Sequence, residues 1–327
     1  MARVFSGIQP SGAPHLGNYL GAWRRWVEHQ QPDHFFCIVD LHAMTMPYEP
    51  EELRSRTVDL ACWFYAVGLD PDVCTMFVQS HVREHTELTW ILNCVATMGE
   101  LGRMVQYKEK GKGQDSVSVG LFDYPVLQAA DILLYQADEV PIGADQRQHV
   151  ELCRDIAQRF NRRYGDTFTV PTPTFPKSGA RIMDLQAVDN KMSKSAISPQ
   201  GTIDLADDED TTRRKILRAV TDSGSEVRAA DDKPGVTNLL DLLAGVTGAE
   251  VPELEQRYSG QGYGVFKREV AEAVIGTLRP VRERHAELAA DPGAVVEQLR
   301  KGADRAHEVA AATIETVRDR VGLLASR

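Results

Sequence analysis

Two hydrophobic rhythms alternate along the first eighty residues. Val4-Phe5 is short and apolar, and Gly7, Pro10, Ser11 and Gly12 then break regularity. A helical spacing follows over residues 15–30. Phe35-Phe36-Cys37-Ile38-Val39 is an unbroken apolar run ending at Asp40, which suits a parallel strand buried on both faces. Pro50-Glu51-Glu52 opens a helix that runs to Val67 and stops at Gly68. Cys74-Thr75-Met76-Phe77-Val78 reads as a third strand. Strand alternating with helix predicts an open α/β sheet with right-handed crossovers. Ligands of such sheets lie at the carboxyl ends of the strands, so Asp40, His42 and Gln79, which follow strand ends, are placed there.

Over residues 86–160 the spacing is mostly helical, interrupted by Gly111-Lys112-Gly113-Gln114. Residues 169–182 are rich in proline and glycine, with a short apolar stretch at their end. After Ser195 the character changes, and residues 211–220, 236–246, 263–275 and 294–321 all read as amphipathic helices. The last carries an apolar stripe from Val295 and Leu299 through Ala303, Ala306, Ala310 and Ile314 to Val317, which is core packing before it is anything else. A chain of 327 residues exceeds a single small core. Two domains are expected, with a boundary near 185–200.

Composition narrows the class. An apolar fraction of 43% and a charged fraction of 26% are ordinary for a soluble globular chain. No apolar run approaches the roughly 20 residues of a membrane span, and the first residues lack the apolar core of a signal peptide, so a cytoplasmic protein is expected. Five scattered cysteines with no C-x-x-C pair argue against a disulfide framework and against structural zinc. The net charge of −10 counts against nucleic-acid binding by the chain as a whole. Three local basic clusters remain: Lys108-Lys110-Lys112, Arg159-Arg162-Arg163 and Arg213-Arg214-Lys215, each read first as a solvated surface.

Candidate chemistry sits in two loops. The first, Gly7 to Asn18, follows the first strand and opens a helix, a place where backbone can approach a phosphate or nucleobase. His15 and Asn18, three apart on the first turn, can both donate to one phosphate oxygen; the bland reading is a capped turn with an exposed histidine. The second is Lys191-Met192-Ser193-Lys194-Ser195. Two lysines three apart, with hydroxyls between, can neutralise a leaving pyrophosphate, whose charge is spread over several oxygens.

Together His15-Leu16-Gly17-Asn18 and Lys191 to Ser195 resemble the HIGH and KMSKS signatures of class I aminoacyl-tRNA synthetases. Further stretches resemble the tryptophanyl family: Phe5 to Gly12, His15 to Gly21, Cys37 to Ala43, Gly99-Glu100-Leu101, Ala129 to Tyr135, Asp145 to His149, Gly179 to Met183 and Tyr263 to Lys267. The resemblance implies a Rossmann-like parallel-sheet catalytic domain over residues 1–190 that includes dimer-forming helices. A smaller all-helical domain over 191–327 would carry the KMSKS loop and read the anticodon, its last helix packing back on the first domain. It implies ATP as substrate with Mg²⁺, L-tryptophan and tRNA(Trp) as partners, a homodimer, and neither DNA nor a membrane. His15, Asn18, Lys191 and Lys194 would be catalytic. Gln9, Pro10, Ser11, Gly17, Asn18, Gly143, Ala144, Asp145, Ile182 and Lys191, Met192, Ser193, Lys194 and Ser195 would contact ATP. Asp131 would accept the indole N–H, the one hydrogen bond that side chain donates. Phe5, Gly7, His42, Gln128, Ile132, Val140 and Ile142 would line the pocket, and Tyr124 and Gln146 would hold the ammonium group. No residue is assigned to a protein-held metal.

Asp131 lies between Ala130 and Ile132 in an apolar stretch, where a carboxylate needs a purpose, so pairing with a nearby base is the weaker reading. Gln128 stands where many bacterial tryptophanyl enzymes carry methionine. Gln-x-x-Asp on one helix also presents polar groups to tyrosine in the tyrosyl family, so Gln128 and Asp131 alone leave both substrates open. A regulatory relative that senses tryptophan without charging tRNA is a further alternative.

Overall fold

The computed structural model describes residues 2–105, 116–175, 182–193 and 198–324. Strand β1 (Val4–Ile8) leads through a turn at Gly12, whose φ of +64° suits glycine, into α1 (Leu16–Asn18). The helix widens to π geometry over Tyr19–Trp23 and continues as α2 (Arg24–His29). The single helical period over 15–30 therefore holds, with a bulge directly behind the His15 turn. Next come β2 (His34–Ile38), α3 (Asp40–Ala43), α4 (Pro50–Ala66) and β3 (Thr75–Val78). Then follow α5 (Glu84–Asn93), α6 (Met98–Leu101), α7 (Val119–Leu133), β4 (Glu139–Pro141), α8 (Arg147–Tyr164) and β5 (Thr172–Thr174). The remainder is helical: α9 (Glu209–Leu217), α10 (Pro234–Thr247), α11 (Val251–Arg257), α12 (Gly262–Ala290) and α13 (Pro292–Val321).

The five strands form one parallel sheet in the order β3-β2-β1-β4-β5. The chain first builds outward from β1 on one side and then returns to build on the other. The loop after β1 is thus at the reversal point, where a crevice opens for a ligand. The sheet separates two apolar clusters. Phe36 and Ile38 of β2 face one, which includes Leu16, Ile182, Met192, Ile203 and much of α10 and α12. Phe35, Cys37 and Val39 face the other, built from Phe5, α5, α7 and α8. Each fully buried side chain of this size contributes about 1.5–3 kcal/mol.

Helix α13 spans both clusters. Val295 and Leu299 join the first, and Ala303 to Val317 the second. It crosses beside β3, the edge strand, at Gly302, where an added Cβ would lie 1.7 Å from the Met76 carbonyl oxygen. The glycine lets the helix close over a strand edge that would otherwise be bare. An ion pair of Arg318 with Glu87, 2.6 Å, ties the far end of α13 to α5.

Several sequence expectations are revised. Residues 169–182 contain a strand, β5, and the segment read as mostly helical contains β4. Helix α12 runs well past residue 275, through Pro280. Of the basic clusters, Lys215 is not a solvated cation. It is 4% exposed, with its ammonium 2.6 Å from Asp207 and donating to the Thr202 carbonyl. Arg159 is bound to Glu100, and Arg213 to Glu272 and Asp210. Lys108-Lys110-Lys112 lies outside the described residues. No described helix is long and apolar enough to cross a membrane.

Candidate active site

The turn after β1 is closed by a Ser11 N–H donating to the Gln9 carbonyl, 2.8 Å. His15 caps α1: its backbone N–H donates to Asn18 Oδ1, 3.1 Å, and the Asn18 N–H returns to the His15 carbonyl, 2.8 Å. With its oxygen so used, the Asn18 amide keeps its NH₂ group as a donor. His15 is 4% exposed, so the exposed-histidine reading of this turn does not hold. Its ring lies over Gly17, where an added Cβ would come 3.0 Å from Nδ1.

The second loop is brought to the first. The Met192 N–H donates to the Ile182 carbonyl, 3.0 Å, and Lys191 pairs with Met183 in an antiparallel bridge. Buried Met192 places its Cβ 3.6 Å from the Cβ position of Gly17, so a side chain at 17 would press on both His15 and the second loop. Lys191 is exposed beside this contact. Lys194 and Ser195 lie outside the described residues. The helical part also grips the first loop directly. The Leu16 N–H donates to the Ile203 carbonyl and the Leu205 N–H to the Pro14 carbonyl, 2.8 and 2.9 Å.

Across β1, the 3₁₀ turn Ala144–Gln146 opens α8. An added Cβ at Gly143 would stand 2.7 Å from Asp145 Oδ1, so the Asp145 carboxylate lies against the backbone there. Gln146 Nε2 donates to Asp145 Oδ2, 2.9 Å, and Gln128 Nε2 lies 3.5 Å from Gln146 Oε1. Phe5, Ile132, Val140 and Ile142 belong to one buried cluster. Gly7 faces out beside Phe5 and leaves this part of β1 open. His42 meets Tyr124 edge-on, with centroids 6.2 Å apart. The Tyr124 hydroxyl is 2.8 Å from His149 Nε2, and burial pushes its pKa up to about 12, so it stays protonated.

Asp131 is 1% exposed and far from solitary. Oδ2 accepts from His42 Nε2 at 2.7 Å, and Oδ1 from His85 Nδ1 and Gln79 Nε2, both at 2.6 Å. The paired-carboxylate reading, discounted from sequence, is what the structure contains. Burial alone would raise the carboxyl's pKa. The attraction of His42 and the hydrogen bonds from His42 and His85 outweigh it and hold the group well below the usual carboxylate range. The Leu41 N–H donates to Gln79 Oε1, 3.1 Å, which turns the Gln79 amide NH₂ toward Asp131.

Sequence reasoning missed His85 and Tyr135. His85 Nε2 is 2.8 Å from the Tyr135 hydroxyl. A faint signal existed. His85, Leu88 and Leu92 share the buried face of α5, and Tyr135 stands one turn beyond Asp131. The outer edge of α5, α6 and α7 is apolar in places: Trp90, Met98 and Val119 are 72, 75 and 79% exposed.

Comparison with known proteins bears on the chain as a whole. The family described as class I tRNA synthetases for W and Y matches residues 1–279. The tryptophan–tRNA ligase of Caldanaerobacter subterraneus subsp. tengcongensis is 52% identical over 326 residues, covering 99% of each chain. The crystal structure of tryptophanyl-tRNA synthetase from Mycoplasma pneumoniae is similar at a TM-score of 0.90 and 36% identity, over 99% of this chain and 98% of that one. The Campylobacter jejuni enzyme, complexed with ADP and tryptophan, is similar at 0.84 and 38%, over 98% and 100%.

Proposed function

The chain belongs to the class I tRNA synthetases of the tryptophan and tyrosine family, and from that premise we infer that it is a tryptophan–tRNA ligase. The tryptophan carboxylate attacks the α-phosphate of ATP, a carboxylate–phosphate anhydride forms, and pyrophosphate leaves. A 3′-terminal ribose hydroxyl of tRNA(Trp) then attacks the carbonyl and releases AMP. The observation that carries this reading is relatedness, over nearly the whole chain, to enzymes of that name.

The residue roles are our own assignment. The carboxylate nucleophile is already ionised near neutral pH, so no general base is required. Positioning and charge stabilisation remain. His15 and the Asn18 NH₂ group donate to phosphate oxygens, and Lys191, with Lys194 and Ser195 of the same loop, offsets charge on the departing pyrophosphate. Gln9, Pro10, Ser11, Gly17, Gly143, Ala144, Asp145, Ile182, Met192 and Ser193 surround the nucleotide. Asp131 accepts the indole N–H. Phe5, Gly7, His42, Gln128, Ile132, Val140 and Ile142 wall the ring. The Tyr124 hydroxyl accepts from the ammonium group while donating to His149, with Gln146 beside it.

Mg²⁺ supplies charge neutralisation on the nucleotide. Its shell suits phosphate oxygens and water, so it asks for no carboxylate cage. We assign residues 1–190 to catalysis and 191–327 to the KMSKS loop and anticodon reading, and we place the reaction in the cytoplasm. The exposed Trp90, Met98 and Val119 support a homodimer through α5, α6 and α7. Sedimentation of the Trp90→Glu variant tests this, with a shift to monomer expected. The activity is tested by ATP–pyrophosphate exchange with tryptophan or tyrosine, followed by charging of tRNA(Trp). Exchange driven by tyrosine and not tryptophan would overturn the substrate, and exchange without charging would overturn the ligase.

A further inference from the structure

We propose that His85, locked by Tyr135, is a positioning residue that leaves Asp131 a single acceptor site for the substrate N–H. The proposal rests on the tryptophan reading above and concerns how the carboxylate is aimed. A carboxylate oxygen accepts two in-plane donors. Oδ1 takes His85 Nδ1 and Gln79 Nε2 and is filled. Among the described residues Oδ2 takes His42 Nε2 alone, which leaves one lone pair on that oxygen. The geometry thus selects which oxygen meets the substrate.

The selection holds only if His85 keeps its proton on Nδ1. Its other nitrogen faces the Tyr135 hydroxyl at 2.8 Å. The carboxylate can only accept, so His85 Nδ1 carries a proton toward Oδ1, and the Tyr135 hydroxyl, which can donate to Nε2, fits that arrangement. Tyr135 cannot turn away. Its ring is stacked on Phe5, centroids 5.5 Å apart with an interplanar angle of 8°, and on Phe35, 4.7 Å and 26°. Phe77 sits against it at 5.5 Å. Packing under the sheet is thereby converted, through one hydroxyl and one imidazole, into the direction of a lone pair in the pocket. All three protein partners of Asp131 donate. A substrate group that only accepts therefore finds no partner there, and one that donates finds a fixed one.

The test uses the full chain and two amino acids: tryptophan, and benzothienyl-alanine, which has sulfur in place of the indole N–H. ATP–pyrophosphate exchange yields kcat and KM for each. Tyr135→Phe deletes one oxygen and leaves the ring. It is expected to raise KM for tryptophan about fivefold, with kcat and the benzothienyl-alanine KM both within about twofold. His85→Leu is expected to raise KM for tryptophan by about 20-fold or more. His85→Asn, whose amide can donate from near the Nδ1 position, should recover part of that loss, and His85→Gln should recover less. A merely structural role would move both amino acids alike. Equal shifts for both, or an unchanged tryptophan KM in folded variants, overturn the proposal while the ligase reading stands. A wild-type chain with no tryptophan-driven exchange overturns both. If His85→Leu does not fold, the single-atom change at Tyr135 decides.

Discussion

Asp131→Asn puts the substrate choice at risk with a near-isosteric change. The carboxylate accepts three donors at 2.6–2.7 Å and is closed to water. An asparagine oxygen in the Oδ1 position can keep His85 and Gln79, which forces the new NH₂ group to the Oδ2 side. There it confronts the indole N–H, donor against donor. The substrate loses a hydrogen bond to a charged acceptor, worth about 1.5–3 kcal/mol, and leaves a buried donor unpaired at about 1–3 kcal/mol. The total of about 3–6 kcal/mol is about 10²–10⁴ in kcat/KM for tryptophan. Pyrophosphate exchange measures it, with KM for ATP expected within about threefold and folding followed by circular dichroism. The acid side supplies a second check. Because the Asp131 carboxyl is held below the ordinary range, it stays ionised as pH falls toward about 4. KM for tryptophan in the wild type should show no rise there from its protonation. A folded Asp131→Asn chain that loses less than about tenfold in kcat/KM would refute the acceptor role.

Lys191→Ala is expected to lower kcat of exchange by about 10²–10³ while KM for tryptophan moves little, since we assign its charge to the departing pyrophosphate. A large change in KM alone would count against that role. Gly302→Val should destabilise the chain by about 2–4 kcal/mol in denaturant melts, because any Cβ at 302 meets the Met76 carbonyl. An unchanged midpoint would mean that α13 does not depend on this crossing. Hydrogen bonds from Arg159, opposed by burial and helped by Thr97, hold the Glu100 carboxyl down at about 2. A depressed carboxylate stabilises above its unfolded pKa and loses that contribution as pH falls toward the folded one. The wild-type melting temperature should therefore fall between about pH 4.5 and 2, and Glu100→Gln, already lacking the contribution, should fall less.

What could be read in advance depended on how each feature is encoded. The central strands β2 and β3 are continuous apolar runs, and a run of that kind needs no partner to be recognised. Strands β4 and β5 are three residues each, Glu139-Val140-Pro141 and Thr172-Pro173-Thr174. With a proline in each they lack any period, and only pairing with a neighbour makes them strands. Helix α12 passes Pro280 because contacts with α4, α9 and α10 outweigh the local penalty. The two signature loops were legible because their chemistry lies in consecutive residues. The setting of Asp131 was not: its donors come from positions 46, 52 and 89 residues away in the chain, on α3, α5 and the turn after β3.

This difference follows from how the sheet divides the molecule. Leu16, Ile182 and Met192, which anchor the two signature loops, belong to the cluster on one face. Phe5, Ile132, Val140 and Ile142, with the aromatic bed under Tyr135, belong to the other. The two signature loops and the proposed side-chain pocket therefore rest largely on different cores, and α13 packs on both. A change in the proposed pocket is therefore expected to alter the chosen amino acid without displacing His15 or Lys191. For the same reason, intact signatures report that adenylation is built into the chain and carry little information on its substrate. On the proposed reading that information lies in Asp131, whose described partners His42, Gln79 and His85 all stand outside both signature runs in the chain.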